Sequence, residues 1–210
     1  MRITKQYISP VAQTLLDNNI AAMQAYKEIG DSIKSIVTRG RDHFIINNSE
    51  KNCNGVVPIK EPCYVKLEDS YLWYREKPLT YLQEEMKKGG PIDVYKEFSM
   101  GGQSPFRVGL EFETGNIASA HRAMNKLKIG LLVDELDLAI LIMPVKELCF
   151  FLTDRVSNYE ELEPYFKLLD DRPFIVFGFD AEHYSPNVPL LPKGKDGMST
   201  RSIRKWANTE

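Results

Sequence analysis

Histidine and cysteine are both scarce in this chain of 210 residues, with three of each. His43, His121 and His183 are scattered at no ligand spacing. Cys53, Cys63 and Cys149 make no metal-binding spacing either, and any disulfide scheme leaves one of them unpaired. That argues against a disulfide scaffold and a zinc module, and predicts a reducing compartment. Long apolar runs are absent as well. The longest, Ala139–Val145, is too short to span a bilayer and is interrupted by Pro144. The opening MRITKQYISP holds no apolar segment of the kind that directs secretion. There is no internal repeat and no low-complexity tract. Together these absences predict a cytoplasmic protein that makes no use of a membrane.

An excess of one charge is missing too. The net charge of −2 gives no overall attraction to a polyanion. Its distribution is uneven, however. Residues 121–130 carry Arg122, Lys126 and Lys128 with no acid, and the tail 187–210 carries five basic residues against Asp196 and Glu210. Acids gather at Glu160, Glu161, Glu163, Asp170 and Asp171. Local basic patches can grip a polyanion while other surfaces stay acidic, although many proteins that touch none look the same. With 43% hydrophobic and 27% charged residues, the chain has the composition of a globular protein, and its length predicts one domain over 1–210.

Periodicity predicts helices over Asn18–Val37, Glu61–Tyr74 (with Pro62 in its first turn), Leu79–Lys88, Ile117–Ile129, Lys146–Leu152 and Asn158–Leu169, with a short one over Arg201–Asn208. Asn116 stands where the helix from Ile117 needs an N-cap. Strands are expected at His43–Ile46, Ile92–Phe98, Arg107–Glu113, Leu136–Met143 and Pro173–Phe179; the last two are apolar enough to be buried on both faces. The fold class that follows is α/β, with a central mixed sheet sandwiched by helices.

Within that frame three carboxylates point to phosphodiester chemistry. Asp93 ends the turn-forming Gly-Gly-Pro-Ile-Asp, and Glu111 and Glu113 lie in the strand RVGLEFE. Side chains alternate along a strand, so Glu111 and Glu113 are expected on one face and Phe112 on the other. Carboxylates from adjacent strands make a hard oxygen cluster suited to Mg²⁺. Alone, an E-x-E strand is more often a solvated sheet face.

Longer strings resolve the ambiguity. The segments KNCNGVVPIKE (51–61), WYREKPL (73–79), GGPIDVYKEF (89–98), EFETGNI (111–117), LTDRV (152–156), EELEPYF (160–166), NVPL (187–190) and DGMS (196–199) occur in order. Through them the chain resembles the BamHI family of type II restriction endonucleases from about residue 9 to 206. The resemblance implies a restriction-endonuclease-like PD-(D/E)xK core, with Glu113 where most such enzymes carry Lys. It implies a homodimer that uses Mg²⁺, two ions per site with Mn²⁺ able to substitute, to cut both strands of double-stranded DNA at the palindrome GGATCC and leave 5′ GATC overhangs. Asp93 would bridge two metal positions, Glu111 and the Phe112 carbonyl would complete one, Glu76 would help the second, and Glu113 would hold or deprotonate the attacking water.

The same resemblance places base contacts at Asn116 and Arg122. Asp154 and Arg155 offer an acceptor for cytosine N4 and a fork for guanine O6 and N7. Taken alone, Asn116 is more often a plain cap, and Asp154 with Arg155 a solvated ion pair. Lys60 is a candidate phosphate clamp and equally a solvated lysine. Ala118 departs from the family pattern, which places a base-reading Ser there. A mobile C-terminal arm at about 186–210 would reach the minor groove, with Asp196 as a contact. The dimer contact would fall on Ile117–Ile129 and Asn158–Leu169, where Leu132-Val133 and Lys167 replace the charged, titratable and acidic residues of the family pattern and imply a more apolar interface. A companion DNA methyltransferase in the same bacterial host is implied as well. Two alternatives stay open: a DNA-binding protein of this fold that does not cut, and a nuclease of this core with another DNA substrate.

Overall fold

The two apolar runs near the middle and end of the chain are buried along their whole length as Leu138–Pro144 and Phe174–Asp180. In the computed structural model, which describes residues 1–81, 90–102 and 104–193, they are adjacent parallel strands at the centre of a six-stranded sheet. In chain order the strands are β1 (Arg2–Ile8), β2 (Ile45–Ile46), β3 (Tyr74–Lys77), β4 (Ile92–Phe98), β5 (Phe106–Phe112), β6 (Leu138–Pro144), β7 (Phe174–Asp180) and β8 (His183–Tyr184). The large sheet runs β1-β7-β6-β5-β4-β3, and β2 pairs with β8 in a small one. Strands β5, β6 and β7 are mutually parallel, and β3, β4 and β5 form an antiparallel meander. The edge strand β1 runs antiparallel to β7. The sheet is mixed, as expected.

Helices cover both of its faces. They are α1 (Pro10–Asn18), α2 (Ile20–Lys34), α3 (Val57–Tyr71), α4 (Ile117–Leu132), α5 (Lys146–Cys149) and α6 (Tyr159–Leu162). Phe112 meets Tyr64 of α3 edge to face at 6.1 Å, whereas Glu111, one residue earlier and so on the other face, meets Lys126 of α4. Glycine lets α4 come close. A Cβ on Gly109 of β5 or on Gly130 of α4 would lie 2.7 Å from a methyl of Leu136, so the bare backbones make room for that one leucine. Among the described residues no helix is long and apolar enough to cross a membrane.

Several boundaries differ from the periodicity. Helix α3 starts at Val57 with Pro58 in its first turn, and Pro62 lies inside it. Proline there removes one N–H from the ladder without ending the helix. Tyr74 is not on that helix but opens β3, because Leu72 turns the chain in a left-handed conformation (φ 59°). The expected helix Asn158–Leu169 is α-helical only to Leu162 and continues as a 3-10 helix over Glu163–Leu169, where Pro164 falls in the first turn. Lys146–Leu152 shortens to one turn at Lys146–Cys149. Strand β1 and helix α1 precede the first helix expected. Most of Leu79–Lys88, the helix Arg201–Asn208 and Asp196 lie outside the described residues. The described root of the C-terminal arm is tied down: Asn47 Nδ2 donates to the carbonyls of Pro186 (3.2 Å) and Val188 (2.5 Å), and Gly55 N–H to that of Leu191 (2.9 Å).

Candidate active site

The carboxylates lie along one row of the antiparallel meander. The pairs Val94↔Leu110 and Tyr95↔Gly109, continued by one position, set Asp93 opposite Glu111. On the other side, Arg75↔Val94 and Lys77↔Ile92 bracket Glu76 opposite Asp93. Antiparallel register therefore aligns Glu76, Asp93 and Glu111 across β3, β4 and β5. At Glu76 the backbone is left-handed (φ 54°) and the residue is exposed.

Asp93 and Glu111 are brought together. Asp93 Oδ2 accepts from the Tyr64 hydroxyl (2.7 Å) and from the Phe112 N–H (3.0 Å), and lies 3.5 Å from Lys60 Nζ. Among the described residues all of these contacts fall on Oδ2 and none on Oδ1. Glu111 is buried, with Lys126 Nζ 2.5 Å from its Oε1. That ammonium also donates to the Pro91 carbonyl (2.6 Å). The ion pair is close, and among the described residues Glu111 has no other donor. Burial and the neighbouring Asp93 charge raise the Glu111 carboxyl to about 8, against the opposing pull of Lys126 and Lys60. Burial, followed by the Asp93 charge, also keeps the Tyr64 phenol well above its ordinary range.

Glu113 lies just beyond this row. Strand β5 ends at Phe112, so Glu113 no longer follows strict alternation. Its N–H still donates to Ile142 (2.8 Å), but its carboxylate turns to accept from the Gly115 N–H. Among the described residues no three acidic, His or Cys side chains gather closely enough to enclose a cation. The Asp93–Glu111 pair nevertheless suits a hard divalent ion. It offers two carboxylates on neighbouring strands, each with an oxygen free of an aligned donor, beside the Phe112 backbone.

Immediately beyond Glu113 the chain turns outward into exposed polar groups. Asn116 caps α4 by accepting from Ser119 N–H (3.0 Å), and Arg122 is exposed on the same helix. Asp154 and Arg155 lie in an exposed loop after α5, with Arg155 Nε 3.6 Å from Asp154 Oδ2 and its backbone left-handed (φ 66°). That loop is fastened to the carboxylate strand's exit. Ser157 donates to the Gly115 carbonyl through both its N–H (2.8 Å) and its hydroxyl (3.0 Å). Asn116, Asp154 and Arg155 therefore belong to one joined unit beside Glu113.

Two groups at the site escaped the sequence. Tyr64 falls in the apolar stripe of α3 and reads as core; Lys126 reads as part of a basic stretch. Only the packing of α3 and α4 on opposite faces of β5 brings each to a carboxylate.

Comparison with known proteins extends this picture. The family model described as restriction endonuclease BamHI matches residues 1–198. The type II restriction enzyme BamHI of Bacillus amyloliquefaciens is 59% identical over 207 residues, covering 98% of this chain and 97% of its own length. The type II restriction enzyme OkrAI of Oceanobacter kriegii is 38% identical over 180 residues, covering 83% of this chain and 88% of its own. Among solved structures, the restriction endonuclease BGLII complexed with a DNA 16-mer superposes with a TM-score of 0.63 at 15% identity, covering 87% of this chain and 78% of that one. That likeness shows a restriction-endonuclease-like fold.

Proposed function

Because the chain belongs to the restriction endonuclease BamHI family, we propose that it is a type II restriction endonuclease that hydrolyses double-stranded DNA at GGATCC, leaving 5′ GATC overhangs. One observation carries the reading. Glu113, one residue past the strand that carries Glu111, accepts from the Gly115 N–H, and Ser157 ties the loop of Asp154 and Arg155 to the Gly115 carbonyl beside the cap Asn116, so these polar groups are held close to the carboxylate strand.

Mg²⁺ is the proposed cofactor, held by Asp93 and Glu111 with the Phe112 carbonyl and Glu76 as further ligands, two ions per site, with Mn²⁺ able to replace it. Bound there, a divalent ion supplies charge neutralisation at the phosphate oxygens. The protein's own groups orient the rest. Glu113 accepts the proton of the attacking water once its carboxylate leaves the Gly115 N–H. Lys60 holds a phosphate oxygen. Arg155 and Asp154 read a G·C pair from the major groove, and Asn116 and Arg122 read from the head of α4. Asp196 is proposed as a minor-groove contact from the C-terminal arm. The Ala118 side chain offers neither donor nor acceptor, so unless Ser119 or a water takes over that contact, discrimination at one base pair is weaker by at most about 1–3 kcal/mol.

A palindrome is matched by a two-fold protein, and a homodimer is proposed accordingly. The helix α4 and the 3-10 helix after α6 supply the contact with exposed Leu132, Tyr165 and Leu168. The protein acts in the cytoplasm of a bacterium whose own genome is protected by a companion methyltransferase.

Incubating a plasmid that bears one GGATCC with the purified protein, with and without Mg²⁺, separates this reading from its two alternatives. The expected result is a single cut at that site, abolished by EDTA. Stable binding without cutting would make the chain a DNA-binding protein of this fold. Cutting elsewhere would assign it another DNA substrate.

A further inference from the structure

We infer that Lys126 is a resident counter-ion of the Asp93–Glu111 pair, a positioning residue that a divalent cation displaces on binding. The inference rests on the metal-site reading above. Asp93 and Glu111 face each other across β4 and β5, and Glu111 is 5% exposed. When both are ionised, two carboxylates set this close in a poorly solvated place repel each other, which with burial raises the Glu111 carboxyl, and a positive charge beside them opposes that rise. On the Glu111 side Lys126 supplies it, 2.5 Å from Oε1 and itself only 12% exposed. On the Asp93 side the charge is Lys60, looser at 3.5 Å and more exposed.

Two features separate Lys126 from an ordinary strut between helix and sheet. Lys126 is the one donor to this carboxylate among the described residues, so lone pairs remain on it for a cation. Its ammonium also has a second acceptor, the Pro91 carbonyl at 2.6 Å. When a cation takes Glu111, Lys126 keeps a partner and need not be stranded in the protein interior. Lys126 thus holds the pair in place while the site waits, and then competes with the ion that replaces it.

Mn²⁺ titration of the metal-free protein without DNA, followed by calorimetry and by thermal unfolding, tests this on the parent, Lys126→Met and Lys128→Met. Lys128 lies on the same helix, with its ammonium on the Leu168 carbonyl and Asp171, away from the pair. It therefore controls for removal of a charge alone. Expected are a lower melting temperature for metal-free Lys126→Met, Mn²⁺ binding about tenfold tighter than the parent's, and a larger Mn²⁺-induced rise in melting temperature. Lys128→Met should bind Mn²⁺ like the parent. If Lys126→Met does not fold, Lys126→Gln, which can still donate to Pro91, carries the same expectation. A parent that binds Mn²⁺ and a Lys126 variant that binds no tighter overturns the counter-ion role and leaves the metal site standing. Equal tightening in both lysine variants overturns it as well. Binding by neither parent nor variant overturns the metal reading, and the inference with it.

Discussion

At the scale of single residues, Asp93 and Asn116 each have two jobs that substitution can separate. Asp93 joins Tyr64, the Phe112 N–H and Lys60 on one oxygen, and faces Glu111. Asp93→Asn keeps the shape and removes the charge. Cleavage should fall by at least about 100-fold, roughly 3 kcal/mol of barrier, while binding to a GGATCC duplex in a gel-shift assay stays measurable. Cleavage at the parental rate in Mg²⁺ would dismiss Asp93 from the centre. Asn116 both caps α4 and stands among the exposed groups near Glu113. Asn116→Ala should cost about 1 kcal/mol of unfolding free energy in urea and also weaken discrimination against one-base variants of the site. Asn116→Asp should restore the first and not the second, since a carboxylate caps as well but repels the DNA.

At the scale of elements, the loop holding Asp154 and Arg155 is fastened to Gly115 through Ser157. Ser157→Ala removes the hydroxyl's bond but leaves the backbone one. Stability should drop by about 1 kcal/mol, and near-cognate sites should be cut more readily in a library of one-base variants. Unchanged discrimination would mean that the tether does not matter for reading. The elements themselves were unequally legible. Strand β4 is found at Ile92–Phe98, the range its alternation predicts, and β6 and β7 differ from their apolar runs by one or two residues at each end. Hydrophobic period fixes such segments locally. Strand β3 was missed because Tyr-Arg-Glu-Lys carries no buried face and is a strand only through pairing with β4. The site followed the same division. Asp93 and Glu111 were readable because register aligns neighbouring strands. The bond that Glu113 accepts from Gly115 was not, since it depends on β5 ending at Phe112, and the lysine beside Glu111 depends on how closely two glycines let α4 approach.

At the scale of the whole molecule, the face formed by α4 and the 3-10 helix exposes Leu132, Tyr165 and Leu168. Leu168 is 57% exposed beside the bond from Lys128. If the proposed homodimer forms through this face, Leu168→Glu should yield a monomer in sedimentation and abolish double-strand cutting, with the melting temperature little changed; a Leu168→Glu protein that is dimeric would move the interface elsewhere. Thiol chemistry offers a check on the packing. Cys63 is fully buried, and burial pushes its thiol up to about 12. A water-soluble disulfide reagent should leave Cys63 untouched in the native protein and modify it only on denaturation.

Arg2 and Asp180, partners across β1 and β7, are separated by 178 positions of chain. On the ribosome the first strand made must wait for one of the last, and closing so large a loop carries a high entropic toll. The meander bearing the carboxylate pair, by contrast, joins strands adjacent in sequence and can assemble early. The carboxylate strands can thereby be paired before that final edge zips into place.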